Sequence, residues 1–132
     1  MLQLAPAADR QKPNETSHAL TKLAKCFESQ WHDVHGCQPS DASAQIVGHA
    51  LVLTLTGALT PREKMDAATE AGRLAVIQGV ARDLDRMYPQ LASEIERVLH
   101  CYVGALDVDV TAVAAAVILQ LQLRDAPGLM RG

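Results

Sequence analysis

Apolar residues recur along this chain at two different spacings, and each spacing predicts a different kind of element. From Thr16 onward the spacing is three or four residues, which places the apolar side chains on one face of a helix. The positions that set this period are Leu20, Leu23, Ala24, Phe27, Trp31 and Val34. Glycine commonly follows a helix C-terminus, and a residue that precedes proline seldom adopts the helical conformation. The helix is therefore expected to end at Gly36, ahead of Pro39.

In four later segments apolar residues alternate with other residues, which is the period of a half-buried strand. These segments are residues 42–47, 50–56, 102–110 and 116–123. Gly48-His49 joins the first two as a two-residue turn with glycine first. Alanine favours helices, so a helix over 112–123 is the alternative for the last segment. The alternation from Val117 to Leu123 favours a strand.

The stretch GALTPRE, residues 57–63, carries the signature of a helix N-terminus. Thr60 suits the N-cap, and Pro61 suits the first helical position. Glu63 lies three residues after the cap, as in a capping box. A helix is therefore predicted to begin at Pro61.

This helix is predicted to run to about Met87, and to continue or restart after Pro89 as far as Leu99. Gly72 and Gly79 lie on one flank of it. Because glycine costs about 1 kcal/mol in a helix, the pair suggests close packing against a sheet or a second helix. The alternative is that both glycines are simply tolerated.

The elements follow one another in the order α-β-β-α-β-β, which predicts an α+β fold. Since each strand has one apolar face, we expect a four-stranded antiparallel sheet with helices packed on one face. The predicted domain covers residues 15–124. Flexible tails are predicted at residues 1–14 and 125–132.

Composition excludes several classes of function. The 132 residues are 48 % hydrophobic and 3 % aromatic, with a net charge of −3. No basic stripe is present, so no nucleic-acid partner is expected. No segment approaches 18 uninterrupted apolar residues, and the N-terminal residues do not resemble a signal peptide, so membrane insertion is not expected. Three irregularly spaced cysteines favour a reduced, cytoplasmic chain.

The densest group of chemically capable side chains is HDVHGC, residues 32–37. His32 and His35 share one helix face, and Cys37 could bend round after Gly36, which together would supply three zinc ligands. The alternative is a polar helix end, where histidine suits the negative end of the dipole. No CxxC or HExxH pattern supports the metal hypothesis.

Two acids, Asp107 and Asp109, share one face of the third predicted strand. Paired carboxylates can perform acid–base chemistry, but they are equally suited to a solvated strand face or a docking surface. The predicted interaction surface consists of Thr54, Thr56, Asp107, Asp109, Gln120 and Gln122. His100 and Cys101 are adjacent, and on a strand adjacent side chains point to opposite faces, which disfavours a catalytic pair.

The order of these motifs resembles a known family over roughly residues 16–123. The resemblance is to the small bacterial domain named for the C component of the sodium-translocating, membrane-potential-generating system (MpsC-like). It rests on GALTPRE, on Glu70-x-Gly72-Arg73, and on Glu96 and Asp109 further along. Its recurring motif, explained by turns, caps and close packing, is Gly36, Pro39, Gly57, Thr60, Pro61, Glu63 and Gly72.

The chain departs from that family at two places. Leu99-His100 stands where members often carry Thr-Gly, and TAVAAA (111–116) replaces a polar, glycine-bearing turn. The second change makes the last hairpin more apolar, which suggests a partner or self-association surface.

The resemblance implies a soluble accessory protein near membrane proteins that couple ion gradients to inorganic-carbon uptake. It supplies no catalytic residues and no cofactor. We therefore expect a non-enzymatic interaction module, forming a homodimer and binding a protein partner such as a membrane transport complex. The alternatives are a ligand- or metal-binding sensor using His32, His35 and Cys37, and an enzyme using Asp107 and Asp109.

Overall fold

The structure is a computed structural model that describes residues 4–125, with side chains described over residues 16–124. Seven elements follow in the order α-β-β-α-α-β-β. They are α1 (Leu4–His35), β1 (Asp41–Val47), β2 (Ala50–Thr56), α2 (Pro61–Asp66), α3 (Glu70–Leu99), β3 (Cys101–Thr111) and β4 (Ala116–Asp125). The predicted α+β class is confirmed.

The four strands form one antiparallel sheet in the order β1-β2-β4-β3. The alternating apolar pattern located all four strands, and β2 has the predicted bounds. Gly48 and His49 form the predicted turn, with Gly48 at a φ of +62°. Residues 112–123 contribute a turn and a strand, so the helical alternative is excluded.

The helices pack on one face of the sheet. That face carries the fully buried leucines and valine of the two central strands: Leu51, Leu53, Leu55, Val117, Leu119 and Leu121. From α1, Phe27 and Trp31 are also fully buried against this face. Burial of such side chains stabilises the fold by about 1.5–3 kcal/mol each.

Helix α1 begins earlier than its apolar period predicts. It runs from Leu4, whereas its apolar period begins near Leu20 in the sequence. Its end agrees with the prediction, because Gly36 follows the last helical residue with a φ of +83°. Residues 1–3 and 126–132 lie outside the described residues, and the tail boundaries remain predictions.

The prediction of a single helix from Pro61 to Met87 is wrong, because α2 ends at Asp66 and α3 begins at Glu70. Thr69 provides a second N-cap, and its hydroxyl accepts a hydrogen bond from the Gly72 N–H at 3.1 Å. A Cβ on Gly72 would lie 1.9 Å from the Asp66 carbonyl oxygen, so the turn requires glycine there. The predicted close packing is thus found at Gly72, against the last residue of α2 rather than the sheet.

Helix α3 is then continuous through Pro89 to Leu99, so no restart occurs at the proline. Gly79 has nothing within 4 Å of its Cβ position, and it is simply tolerated. The helix ends at His100, which adopts the left-handed conformation with a φ of 57°. This is the position where the resembled family often carries glycine, and glycine suits that conformation better.

Candidate functional site

His35, the last residue of α1, lies between two carboxylates from different helices. Its Nδ1 is 2.5 Å from Oδ2 of Asp83 on α3, and its Nε2 is 2.9 Å from Oε1 of Glu63 on α2. The His35 side chain is only 9 % exposed. We call His35, Glu63 and Asp83 the histidine cluster; it joins the C-terminus of α1, the first turn of α2 and the middle of α3.

The capping motif positions Glu63 for this contact. The Thr60 hydroxyl accepts a hydrogen bond from the Glu63 N–H at 3.1 Å, and the Glu63 carboxylate accepts one from the Thr60 N–H at 2.9 Å. The predicted capping box is therefore confirmed. The same Oε1 faces His35, so one carboxylate oxygen serves both the helix cap and the cluster.

Trp31, one helical turn before His35, forms the floor of the cluster. The two rings stack with centroids 4.3 Å apart and an interplanar angle of 25°. The indole N–H donates to the Ala58 carbonyl at 3.1 Å, which ties α1 to the loop ahead of the capping motif. A stacked indole and two carboxylates favour a cationic imidazole, because each interacts favourably with positive charge.

The electrostatic balance at His35 follows from these contacts. Burial by itself lowers the pKa of His35, but hydrogen bonds to Asp83 and Glu63 and their negative charges outweigh it and raise the pKa. Carboxylates only accept hydrogen bonds, so both contacts are satisfied together only when both ring nitrogens carry protons. The cluster is thus built around the imidazolium form.

The other two residues of the predicted metal set do not join this cluster. His32 has a half-exposed side chain, and its Nδ1 lies 3.8 Å from Asp33. Cys37 donates weakly to the Gly57 carbonyl at 3.8 Å, and burial and the nearby Glu63 charge raise the pKa of its thiol. Both nitrogens of His35 already face carboxylates, so neither is open to a metal ion in this arrangement.

Within the described residues, no group of three or more His, Cys, Asp or Glu side chains is arranged to hold a metal ion. The raised pKa of Cys37 is that of a protonated thiol, which is a poor nucleophile. The cluster therefore offers a charge-assisted structural junction and a titratable group.

The predicted interaction surface lies on the sheet face opposite the helices. Its members alternate along β2, β3 and β4 with residues of the buried face. The strand register places Asp107 directly beside Gln120, and Ile118 between Thr54 and Asp109. We call this the outer sheet face; Gln120, Gln122, Asp107 and Asp109 are exposed on it, and Thr54 and Thr56 are half-buried.

One carboxylate of this face is engaged from the helical layer. Arg73 on α3 donates to Oδ1 of Asp109, with the Arg73 side chain 33 % exposed and Asp109 54 % exposed. Arg73 also lies 3.8 Å from the Glu70 carboxylate, three residues earlier on the same helix. Asp107, the other acid of this strand face, forms no ion pair within the described residues.

A second exposed patch lies at the tip of the last hairpin. Met65 is 73 % exposed and Val113 is 93 % exposed, and both line an apolar surface groove of about 420 Å³. This is where TAVAAA replaces a polar turn, and it confirms that the hairpin tip is apolar and exposed. The tip is anchored by hydrogen bonds from Gly57 and Ala58 N–H groups to the Ala114 and Ala115 carbonyls.

Comparison with known protein families agrees with the resemblance noted from the motifs. The family model described as Na+-translocating membrane potential-generating system (MpsC) matches residues 17–122. The chain belongs to this family. No curated protein and no solved structure gives a significant match. Among the helices of the described residues, none is long and apolar enough to cross a membrane.

Residues that carried the resemblance to MpsC have structural roles in the fold. Gly57 has a φ of +66°, and a Cβ there would lie 2.7 Å from the Ser40 hydroxyl oxygen. The Glu96 carboxylate accepts a hydrogen bond from the Val103 N–H at 3.0 Å, which fixes the start of β3 against α3. The Glu96–Val103 hydrogen bond and the Arg73–Asp109 pair hold α3 onto β3 in this MpsC-family domain.

Sequence reasoning missed Asp83 as a partner of His35, because Asp83 belongs to none of the motifs singled out in the sequence. A signal was present: Asp83 lies seven residues after Val76 and three after Val80, both of which are buried. That spacing places Asp83 at the border of the apolar stripe of α3. A carboxylate at such a position needs a partner, and His35 supplies it.

Proposed function

We propose that this MpsC-family domain is a non-enzymatic accessory module that binds a protein partner of a membrane ion-coupled system. Family membership supports this role, since the family is described as a Na+-translocating membrane potential-generating system. The specific form that we propose is a cytoplasmic accessory role in ion-coupled uptake of inorganic carbon. This form follows from the resemblance of the motifs to the family.

The observation that carries the proposal is the outer sheet face, which no described helix covers. All the fully buried residues of β2 and β4 belong to the opposite face. The open face carries exposed polar groups around the half-buried Val52 and Ile118, a mixture typical of interfaces that form and dissociate.

Charge suggests the chemistry of the partner. Three aspartates, Asp41, Asp107 and Asp109, and one arginine, Arg124, lie on the outer sheet face, and the chain carries a net charge of −3. Cytoplasmic loops of membrane proteins are enriched in lysine and arginine. We therefore propose a basic cytoplasmic loop of a membrane transport protein as the segment that this face binds.

The test is copurification from detergent-solubilised membranes of cells that produce the tagged protein. We expect an integral membrane ion-transport protein to copurify with the wild type and to be lost with Asp107→Lys. The matched control is Asp85→Lys, which makes the same charge change at an exposed position of α3. The proposal is contradicted if Asp107→Lys and Asp85→Lys recover the transport protein equally. It is also contradicted if no transport protein copurifies with the wild type or with Asp85→Lys.

A further inference from the structure

The two edges of the sheet differ in a way that bears on association. At the β3 edge the register shifts between Val103 and Leu106, and the strand carries two aspartates. Bulges and charges of this kind protect an edge from pairing with another strand. At the β1 edge the seven residues Asp41–Val47 pair with β2 in unbroken register, and the terminal Asp41 is the one charged residue among them.

The β1 edge is also open along its length. Within the described residues 4–125, β1 has β2 as its neighbour on one side and no strand on the other. Such an edge presents unpaired backbone N–H and C=O groups. Where the edge meets α1 there is a groove of about 400 Å³ lined by both apolar and polar residues. Its apolar lining residues are Leu20, Ala24, Ala42 and Ala44, and its polar ones include Thr21, Lys25 and Glu28.

A large apolar side chain projects beyond the groove on the same strand. Ile46 is 40 % exposed, although its cross-strand partner Leu51 is fully buried. Ile46 therefore lies on the helix-facing side of the sheet, as do Ala42 and Ala44. One end of the strand carries an unfilled groove, and the other end carries an unburied isoleucine.

We propose that the β1 edge pairs with the β1 edge of a second copy of this chain, antiparallel and centred on Ala44. In this register Ala44 faces the partner's Ala44, and Ala42 faces the partner's Ile46. Each isoleucine enters the groove of the other copy, beside Leu20 and Ala24. The two sheets then form one continuous eight-stranded sheet.

The electrostatics of the edge suit a second copy. On the outer side, Ser43 faces the partner's Gln45 and Asp41 faces the partner's Val47, so no like charges are opposed. An isologous interface requires such self-complementarity: a large side chain of one copy lies opposite a small one of the other, and like charges do not face each other. This pairing uses the β1 edge, and it does not depend on the partner proposed for the outer sheet face.

The first test is disulfide trapping with Ala44→Cys. Directly opposed residues in an antiparallel pair have Cα atoms about 4.5–5.5 Å apart, within the range that a disulfide spans. We expect a covalent dimer on mild oxidation of Ala44→Cys. The controls are the wild type, which tests the native cysteines, and Ala105→Cys, an exposed alanine on the β3 edge.

The second test is sedimentation of the wild type and of two charge variants. Ile46→Lys should raise the dimer dissociation constant about a hundredfold, because each dimer carries the substitution twice. Val113→Lys, at the apolar hairpin tip, should leave it unchanged. We expect both variants to fold, because both side chains are exposed, and circular dichroism checks this.

The outcomes are decisive in either direction. A dimer that is trapped through Cys at position 44 and dissociated by Ile46→Lys supports the proposal. A protein that remains monomeric up to about 100 µM overturns it, and the groove then suits an extended peptide of another protein. A dimer that resists Ile46→Lys, or that dissociates with Val113→Lys instead, also overturns it.

Discussion

At the scale of single residues, His35 connects more of the molecule than any other polar side chain described. It is the terminal residue of α1, it stacks on Trp31, and it faces carboxylates from α2 and α3. Its surroundings favour the protonated ring, because two acceptors and a stacked indole outweigh the cost of burial. The charge state of one imidazole therefore affects how firmly three helices are joined.

This arrangement predicts that the contribution of His35 to stability depends on pH. Its folded-state pKa is raised above the ordinary value of about 6.5. Protonated His35 therefore stabilises the fold fully below that ordinary value, and the contribution is lost as pH rises through the higher folded-state pKa. We expect His35→Gln to lower the free energy of unfolding by about 1–3 kcal/mol in acid, and by less at alkaline pH.

Urea unfolding of both proteins from about pH 5.5 to about pH 9 measures this difference. The matched control is His32→Gln, one turn earlier on the same helix and half-exposed, which should track the wild type at every pH. A constant gap between His35→Gln and the wild type across the range would show that the imidazole does not titrate in its junction.

At the scale of elements, the sequence predicts the four strands better than it predicts the break between α2 and α3. Alternation located the strands because each has one face against the helices and one outside, so period 2 is imposed along the whole segment. The break between α2 and α3 is different. Residues 67–69 read Ala-Ala-Thr, and the alanines favour helix. Only the close approach of Gly72 to the Asp66 carbonyl reveals the turn.

Two glycines of α3 should therefore respond to the same substitution in opposite directions. Gly72→Ala should destabilise the protein, because its Cβ would meet the Asp66 backbone oxygen at 1.9 Å and the turn would have to open. Gly79→Ala should stabilise it by about 0.5–1 kcal/mol, since its Cβ position is open and alanine is the better helix former. Thermal unfolding of both variants distinguishes the two cases. A gain in stability for Gly72→Ala would show that the α2–α3 turn does not need glycine.

At the scale of the whole molecule, the histidine cluster is the part that the sequence could not assemble. His35 lies 28 residues from Glu63 and 48 residues from Asp83. No local period links positions so far apart, and the motif HDVHGC directed attention to neighbours in sequence instead. The residues of the outer sheet face, by contrast, could be predicted, because side chains alternate between the two faces of a strand once the strand is located.

The core extends through both layers without a gap, which predicts that the molecule unfolds as one unit. Buried side chains of α1, β2, α3 and β4 form a single cluster. Trp31, the one tryptophan of the chain, reports on the junction of α1 with the sheet, and far-ultraviolet circular dichroism reports mainly on α1 and α3. Leu91→Ala removes a side chain that is 1 % exposed in the C-terminal half of α3. It should lower stability by about 2–5 kcal/mol.

If the core is continuous, Leu91→Ala shifts the urea midpoint of tryptophan fluorescence and of circular dichroism by the same amount. Leu74→Ala is the control, because that leucine is 50 % exposed on the same helix and its loss should change stability by less than about 0.5 kcal/mol. A shift confined to circular dichroism would mean that α3 unfolds separately from the α1–sheet junction. The His35–Asp83 contact would then be too weak to couple them.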